Sequence, residues 1–467
     1  MTFQQISNLK SNIGTTVFPA IPSAYPSMLL SAFHQLGKSQ WWTPEQIRGK
    51  QFQQLNHVLL HAYNNIPFYR RRLKEAGIKP AKGITAKKWS TLPFLVRRDF
   101  QGKEDEFLAK SIPDGHGELS EIKTSGSTAE PIRVYATGLV HFFWSAFTLR
   151  DHDWHKRDFN GKLASIRHIK GNKAQYPGGM DMKTWGDPVQ TLYHTGPASA
   201  LDIKRTDVID QLEWLSRQKP EYLLTYPSNA LELAKLTISK GLTFPSLKEL
   251  RLMGEVADKK TLNICKQAWN IPVADAYSAN EVGYIALQCQ EQGNYHIQSE
   301  NLYVEIIDDK GKPCAPGETG KVVVTTLHNF AMPLIRYQIG DYAEVGEPCS
   351  CGRGLPVLAR ILGRVRNMLV LPTGEKYWPS SGSLALPNIA PIKQQQTIQK
   401  DSEHIEVRLV VGRPLTREEE EQARKVVISK LGYDFKISFV YLDKIERSAG
   451  GKFEEFMSEL PQMSTSR

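Results

Sequence analysis

The chain has 467 residues, of which 40% are hydrophobic, and it contains 27 prolines, as is typical of a globular protein with two or three domains. No run of about 18 or more apolar residues occurs, so we expect no transmembrane helix and no membrane partner. The N-terminus lacks the basic patch and apolar stretch of a signal peptide. Five cysteines are too few for a disulfide framework, which makes a reducing cytoplasm the expected location.

The formal net charge of +10 is compatible with nucleic-acid binding. Lysine and arginine are scattered, however, and the densest cluster is only YRRRLKEAG, from Tyr69 to Gly77. An anionic small substrate or an acidic protein partner explains the excess equally well through electrostatic steering. We therefore expect no nucleic-acid partner.

The first part of the chain, roughly 100 residues, has a helical pattern. Apolar residues recur at helical spacing from Phe52 to Leu59, and Pro67 then interrupts the pattern. A second short helix is predicted to end at Gly77.

From Ser120 to about Val345 the pattern alternates, with strand-like stretches such as EYLLTY and helical segments such as SNALELAKLTIS. This alternation predicts a layered α/β domain. NLYVEIID and GKVVVTTL flank a turn-rich link and predict an antiparallel hairpin or a small β-barrel-like subdomain.

The pattern after Arg364 is strand, strand, helix, strand, which predicts a small α+β domain of about 100 residues. The fold class is therefore α/β, with a large N-terminal domain that begins with a helical segment and carries the barrel-like subdomain. We place its boundary with the mobile C-terminal domain so that the two span residues 1–363 and 364–467.

A run of small polar residues, KTSGSTAEPI, extends from Lys123 to Ile132. Glycine lets the backbone approach a ligand, and successive N–H and hydroxyl groups can surround phosphate oxygens. The run is not a Walker motif, because no G-K-[ST] follows. Taken alone, it is equally typical of a surface loop.

Four further stretches follow it in a fixed order: DAYSANEVG, PLIRYQIGDYAEV, LGRVRN and ERSAGGKFEEF. Together with the first run they resemble the adenylate-forming superfamily of acyl-CoA synthetases and adenylation domains. The N-terminal LLHAYNNIPFYRRRLKEAGI and LPFLVRRDF are similar to the branch of phenylacetate–CoA ligases and capsule-biosynthesis adenylating enzymes. The resemblance extends from about Phe52 to Phe456.

The resemblance implies a role for each matching residue. Tyr277 would pack on the adenine ring, Asp341 would accept hydrogen bonds from both ribose hydroxyls with the help of Arg364, and Glu281 would bind Mg²⁺. Lys452 would contact the substrate carboxylate and the α-phosphate, so Lys452 and Glu281 are the candidate catalytic residues. The implied ATP-binding set is Thr124, Ser125, Gly126, Ser127, Thr128, Gly254, Glu255, Ala276, Tyr277, Ser278, Asp341 and Arg364. Within it, Gly254 and Glu255 match the segment that would lie along the adenine.

Several positions depart from the family pattern. Ala129 and Glu130 stand where glycine and lysine are usual, which puts the strength of the pyrophosphate contact in question. Ser278 and Asn280 replace a glycine and a threonine, which reshapes the acid pocket or marks a poor adenylating enzyme. Arg366 occupies the position where an acidic or lysine hinge residue is common, and it is the candidate hinge residue here.

The acid pocket is the least defined part of the site. Its candidate residues are Tyr226, Ser228 and Asn280, with a contribution from the aromatic-rich helical segment from His141 to His155. The aromatic content favours an aryl or arylalkyl acid.

A second signal is independent of the nucleotide motifs. Cys289 and His296 are spaced C-x6-H, and Cys349 and Cys351 form C-x-C in a loop rich in proline, serine and glycine. If the two pairs meet, they form a Cys3His tetrahedral site for structural Zn²⁺. The alternative is that they are buried small apolar residues, which the loop context disfavours. Similar pairs occur in the phenylacetate–CoA ligase-like branch.

The resemblance implies an enzyme that activates a carboxylic acid with ATP and Mg²⁺ to acyl-AMP. A thioester would then form with CoA or with the phosphopantetheine of an acyl or peptidyl carrier protein. Two alternatives stay open: a ligase that uses an amine or hydroxyl acceptor, and an inactive zinc-stabilised scaffold. We expect a monomer or homodimer.

Overall fold

The computed structural model describes residues 22–123, 132–379 and 386–460. The α-helices in these ranges are labelled α1 to α11 in chain order: Ala24–Ser39, Pro44–Asn65, Pro67–Glu75, Ala86–Trp89, Arg97–Phe100, Gly138–Trp154, Val189–Leu192, Val208–Gln218, Pro227–Ser239, Lys259–Trp269 and Arg417–Leu431. Short 3₁₀ helices occupy Pro80–Lys82, Glu104–Phe107, Ile203–Arg205, Val365–Asn367 and Leu386–Asn388.

The strands are labelled β1 to β20 in the same way. Those up to the predicted domain boundary are Leu119–Lys123, Arg133–Thr137, Leu163–Arg167, Met180–Met182, Ala198–Asp202, Tyr222–Thr225, Glu249–Met253, Val273–Ala279, Gly283–Gln288, Tyr295–Ile297, Leu302–Ile307, Thr319–Thr326, Tyr337–Val345 and Val357–Arg364. Those after it are Leu369–Val370, Lys376–Tyr377, Ile392–Gln399, His404–Val411, Lys436–Tyr441 and Phe456–Ser458.

The N-terminal helices follow the predicted pattern. Helix α2 begins at a capping box, in which the side chains of Thr43 and Gln46 each bind the other's backbone N–H. It ends just before Pro67, the first residue of α3, because proline disfavours the helical conformation of the residue before it. The predicted break at Pro67 is therefore confirmed. The buried face of α2, which includes Leu55 and Leu59, packs into the largest apolar core.

Twelve strands form one mixed sheet in the order β11-β12-β13-β14-β10-β9-β8-β7-β6-β3-β5-β4. Strands β5, β3, β6, β7 and β8 pair in parallel, and the remaining pairs of this sheet are antiparallel. The parallel part, with helices such as α9 and α10 between its strands, agrees with the predicted α/β layering. The predicted hairpin is present as β11 and β12, which lie at one edge of this sheet rather than in a sheet of their own.

The C-terminal strands form a separate four-stranded sheet, β19-β18-β17-β20, covered by α11 around its own apolar core. Strand β14 of the large sheet ends at Arg364, close to the predicted boundary. The sequence did not indicate β17, because its residues, IKQQQTIQ, lack the apolar alternation of a half-buried strand.

The start of α11 provides a test of local stability. Thr416 accepts a hydrogen bond from the backbone N–H of Glu419 and forms a capping box with it. We expect Thr416→Ala to lower the free energy of unfolding of the C-terminal region by about 1 kcal/mol, because one N–H at the helix start loses its partner. Denaturant unfolding followed by circular dichroism measures this, with the exposed neighbour Arg417→Ala as the control. Equal stability of Thr416→Ala and wild type would contradict the capping role.

Across the described residues, no helix combines the length and the apolarity needed to cross a membrane.

Candidate active site and metal centre

Three of the predicted nucleotide-binding residues form one group, joined by an ion pair and a hydrogen bond. Asp341 of β13 is the direct register partner of Arg364 of β14, and their side chains approach to 3.5 Å between Oδ1 and Nε. The Tyr277 hydroxyl, from β8, donates to Asp341 Oδ2 at 2.7 Å. Burial, followed by the nearby Asp341 charge, raises the pKa of Tyr277 well above its ordinary value, so this hydroxyl stays a neutral donor.

This contact shows that the sheet curves strongly. Strands β13 and β8 are separated by β14, β10 and β9 in the sheet order. A flat sheet with strands ~4.8 Å apart would place them about 19 Å from each other. The curvature therefore brings the residues of β8 and β13 to a single site.

Glu281 lies in the turn between β8 and β9 and is 8% exposed. Burial raises the pKa of its carboxyl group, whereas the positive charges of Arg364 and Arg97 act in the opposite direction. Arg97, at the start of α5, lies in the LVRRDF stretch, but sequence reasoning did not single it out. A buried carboxylate with Asp341 nearby suits a hard cation that binds oxygen ligands, so the residues fit the predicted Mg²⁺.

Lys452 is brought to this group from the C-terminal sheet region. Burial lowers the pKa of its ammonium group, and the charge of Arg364 lowers it further, whereas Glu255, Asp341 and Glu281 raise it. These are four of the residues that the resemblance assigned to the nucleotide and Mg²⁺. The ammonium group of Lys452 therefore lies in the field of these three acids and of Arg364.

Gly254 leaves room for the lysine. A Cβ atom at this position would lie 3.3 Å from Lys452 Cε and 3.3 Å from a ring carbon of Tyr226. The φ angle of Gly254 is +80°, a conformation that side chains with a Cβ rarely adopt. Both observations favour glycine here.

The structure places two predicted acid-pocket residues against the C-terminal segment. The Tyr226 hydroxyl donates to the Gly450 carbonyl oxygen at 2.9 Å, and Ser228 Oγ accepts from Arg447 at 3.1 Å. Asn280 is exposed. Sequence reasoning missed Arg447, although it lies five residues before Lys452 in the same motif. The assignment of these residues to an acid pocket stays a prediction.

The predicted phosphate loop lies outside the described residues, as do Ala129 and Glu130. This concerns Thr124, Ser125, Gly126, Ser127 and Thr128. The strands on either side of it, β1 and β2, pair in antiparallel fashion up to Lys123 and Arg133. Of the other predicted residues, Ala276 and Ser278 are half-buried in β8, opposite Leu287 and Tyr284 of β9.

The candidate hinge, residues 365–367, contacts strand β20 and the residues just before it. Arg366 is 8% exposed and forms an ion pair with Glu454, and the Asn367 side chain donates to the Phe456 carbonyl oxygen at 2.7 Å. Arg364, at the end of β14, lies on the other side of this short segment. Residues 365–367 therefore connect the two predicted domains directly.

The two Cys/His pairs converge, as predicted. One ligand atom from each of Cys289, His296, Cys349 and Cys351 lies within 4.8 Å of the other three. The sulfur atoms of Cys289 and Cys349 are 3.9 Å apart, and Cys351 Sγ lies 3.3 Å from His296 Nε2. Ligands bound tetrahedrally at ~2.3 Å lie about 3.8 Å from each other, so the spacing fits one Zn²⁺ ion.

The protonation of the ligands also suits a metal. His296 Nδ1 faces the Leu355 carbonyl oxygen at 3.4 Å, which leaves Nε2 directed at the cysteines. Burial lowers the pKa of His296 to about 4, so the imidazole is neutral at pH 7. Burial raises the pKa of the Cys289 thiol to about 11. At Cys351 burial also raises the pKa, but hydrogen bonds from Arg353 and Cys349 together outweigh it and lower the pKa.

Comparisons with known proteins connect the fold to a family. A model of the CapK C-terminal domain matches residues 382–459. The chain is 25% identical over 455 residues to a phenylacetate–coenzyme A ligase of Thermus thermophilus, which covers 88% of this chain and 96% of the relative. It is 24% identical to a phenylacetate–coenzyme A ligase of Pseudomonas putida, over 84% of this chain and 88% of that protein. It is 21% identical to Protein CapK of Staphylococcus aureus, over 83% of this chain and 84% of that protein.

The chain is therefore similar, over most of its length, to adenylate-forming proteins of the phenylacetate–CoA ligase and CapK type.

Solved structures share the fold of this chain. A 2-hydroxyisobutyryl-CoA ligase in the postadenylation state, in complex with 2-HIB-AMP, superimposes with a TM-score of 0.69 at 18% identity, covering 91% of this chain and 92% of that one. The same ligase in the thioesterification state, in complex with 2-HIB-AMP and CoA, superimposes with a TM-score of 0.58 at 19% identity. This match covers 90% of this chain and 91% of that one. The predicted enzyme class, an AMP-forming acid–thiol ligase, is confirmed by the named relatives.

Proposed function

We propose that the protein activates a carboxylic acid with ATP to acyl-AMP and then transfers the acyl group to a thiol. The observation that carries this proposal is the docking of the segment around Lys452 on Glu255 and Tyr226. The same large domain contains the matched pair of Asp341 and Arg364. The named relatives favour an aryl or arylalkyl acid and CoA as the acceptor. A carrier-protein phosphopantetheine arm presents the same thiol chemistry.

In the first step, a carboxylate oxygen attacks the α-phosphorus of ATP, a P–O bond forms, and pyrophosphate leaves as the bond to the β-phosphate breaks. Asp341 would hold the ribose, and Tyr277 would fix the orientation of Asp341 through its hydrogen bond. Lys452 would stabilise the negative charge that develops on the α-phosphate and the attacking carboxylate. No covalent bond to the enzyme is needed.

Glu281 would hold Mg²⁺, which neutralises charge on the phosphate oxygens when it is bound. Arg97 and Arg364 contribute positive charge beside Glu281. They favour the ionised carboxylate that a metal ligand must be.

In the second step, the thiolate attacks the acyl carbonyl carbon and AMP leaves. We propose that the C-terminal region, residues 364–467, rotates about Arg364 to Asn367 between the two steps and carries Lys452 away. The higher TM-score with the postadenylation state than with the thioesterification state supports the interpretation that this structure has the arrangement with the lysine in the site.

The intact group of acids and lysine supports an active enzyme over the alternative of a decayed scaffold. Acid-dependent exchange of pyrophosphate into ATP, measured with a panel of aryl, arylalkyl, hydroxy and fatty acids, tests the first step. Product analysis with CoA, a phosphopantetheinylated carrier protein or an amine then separates thiol from amine acceptors. Failure of exchange with every acid, together with absence of ATP binding, would overturn the proposal.

The ribose role of Asp341 has a direct test. We expect Asp341→Ala to weaken ATP binding by about 2 kcal/mol, roughly 30-fold in Kd, because two charge-assisted hydrogen bonds to the ribose are lost. Isothermal calorimetry measures this, with Asp309→Ala, an exposed acid in the connection between β11 and β12, as the control. Wild-type affinity of a folded Asp341→Ala protein would assign Asp341 a structural role only.

We also propose that Cys289, His296, Cys349 and Cys351 hold one structural Zn²⁺. Four protein ligands leave no open coordination position, so the ion would stabilise without taking part in chemistry. The site joins the end of β9, strand β10 and the loop before β14. Because β14 ends at Arg364, the ion would fix the position of β14 and thereby the position of Arg364 in the nucleotide site.

A further inference from the structure

Glu255 joins two distant parts of the chain through a single carboxylate. Its Oε2 accepts from the backbone N–H of Ser228, at the start of α9, at 2.9 Å. Its Oε1 accepts from the backbone N–H of Phe453, the residue after Lys452, at 2.7 Å. One acid of the large domain therefore binds the segment that presents the mobile lysine.

The segment from Ser448 to Lys452 forms a compact turn. Ser448 N–H donates to the Lys452 carbonyl oxygen at 2.8 Å, and Lys452 N–H donates to Ser448 Oγ at 3.1 Å. Tyr226 of the large domain contacts this turn, because its hydroxyl donates to the Gly450 carbonyl oxygen at 2.9 Å. Tyr226 thus donates a hydrogen bond to the middle of this turn, and Glu255 accepts one from the residue that follows it.

We propose that Glu255 is a positioning residue that holds Lys452 in the arrangement for adenylation, with Tyr226 as its second contact. This proposal rests on the adenylating function proposed above. The contacts link the large domain to residues 450–453, so they break whenever the C-terminal region rotates away. Glu255 therefore favours the first half-reaction over the second.

A carboxylate is suited to this task for a chemical reason. It has two acceptor oxygens, and each receives one N–H here, so both hydrogen bonds are charge-assisted. The isosteric carboxamide of glutamine offers one acceptor, and its NH₂ group would face the other backbone N–H. Replacement by glutamine keeps the size of the side chain but breaks one of the two contacts.

A competing role for this residue is contact with the adenine, since the family resemblance places the Gly254–Glu255 segment along that ring. An adenine contact would act on ATP binding, whereas a positioning role acts on the rate of adenylation once ATP is bound. The two roles are therefore separable by kinetics.

The experiment compares full-length Glu255→Gln with wild type and with Glu213→Gln, an exposed acid on α8. We expect the kcat of acid-dependent ATP–pyrophosphate exchange to fall about 10-fold in Glu255→Gln, with the KM for ATP within about twofold of wild type. The rate of thioester formation from pre-made acyl-AMP should be unchanged or higher. Tyr226→Phe should change the exchange rate in the same direction by about 3-fold, as expected for loss of one neutral hydrogen bond.

Hydrogen exchange of the Phe453 amide provides a readout that does not depend on activity. Its exchange should accelerate in Glu255→Ala, which removes both acceptor oxygens, and should be unaffected in Glu213→Gln. An equal loss in both half-reactions would overturn the proposal in favour of a general structural role, and a raised KM for ATP with unchanged kcat would favour the adenine contact. Absence of ATP–pyrophosphate exchange in wild type would count against the adenylating function itself. An unprotected Phe453 amide in wild type would count against its hydrogen bond to Glu255.

Discussion

Replacing Lys452 with alanine is expected to slow adenylation by about 10²-fold, or on the order of 3 kcal/mol in transition-state free energy. In the proposed mechanism, the lysine contributes one charge contact that is made chiefly in the transition state, where negative charge develops on the α-phosphate. The backbone on either side of Lys452 is held by hydrogen bonds to Ser448 and, through Phe453, to Glu255, so its position is already set before the reaction starts. Acid-dependent pyrophosphate release measures the effect.

Two controls make the Lys452→Ala result specific. Lys444→Ala removes an exposed lysine from the same region and should leave the rate unchanged. Thioester formation from pre-made acyl-AMP should be much less affected, because Lys452 has left the site by then. Unchanged pyrophosphate release in Lys452→Ala would remove this lysine from the mechanism.

The second large effect concerns the metal. Protein purified without chelator is expected to contain close to one zinc per chain, and Cys351→Ser should lose the metal and lower the Tm by about 5 °C or more. The free energy of metal binding appears as folding stability, because the four ligands do not meet in the unfolded chain. Metal analysis and calorimetric melting measure both quantities.

Cys314→Ser is the matched control, since Cys314 lies outside the metal cluster and is half-buried. It should keep the metal. Binding should also weaken in acid, because the thiols and the imidazole must be deprotonated to bind a metal. A metal-free wild-type protein of unchanged stability would show that the four residues form a metal-free cluster.

Local signals in the sequence were sufficient for the elements with strong periodicity. The break at Pro67 and the alternation of strands and helices each depend on residues a few positions apart. The resemblance to adenylate-forming enzymes was also recognisable from the sequence, because five short motifs occur in a fixed order along the chain. The polar strand β17 escaped detection because its pairing with β18 and β20, and not its own pattern, makes it a strand.

The sequence by itself determined the residue types of the site, including the Cys/His pairs, Asp341 and Lys452, because these are properties of short stretches. Only the tertiary structure decided which of them meet. The curvature of the twelve-stranded sheet brings Tyr277 to Asp341 across three intervening strands, and the docking of the C-terminal sheet brings Phe453 to Glu255. The physical reason is that sheet curvature and domain docking are sums of many weak packing contacts between distant residues, which no single motif records.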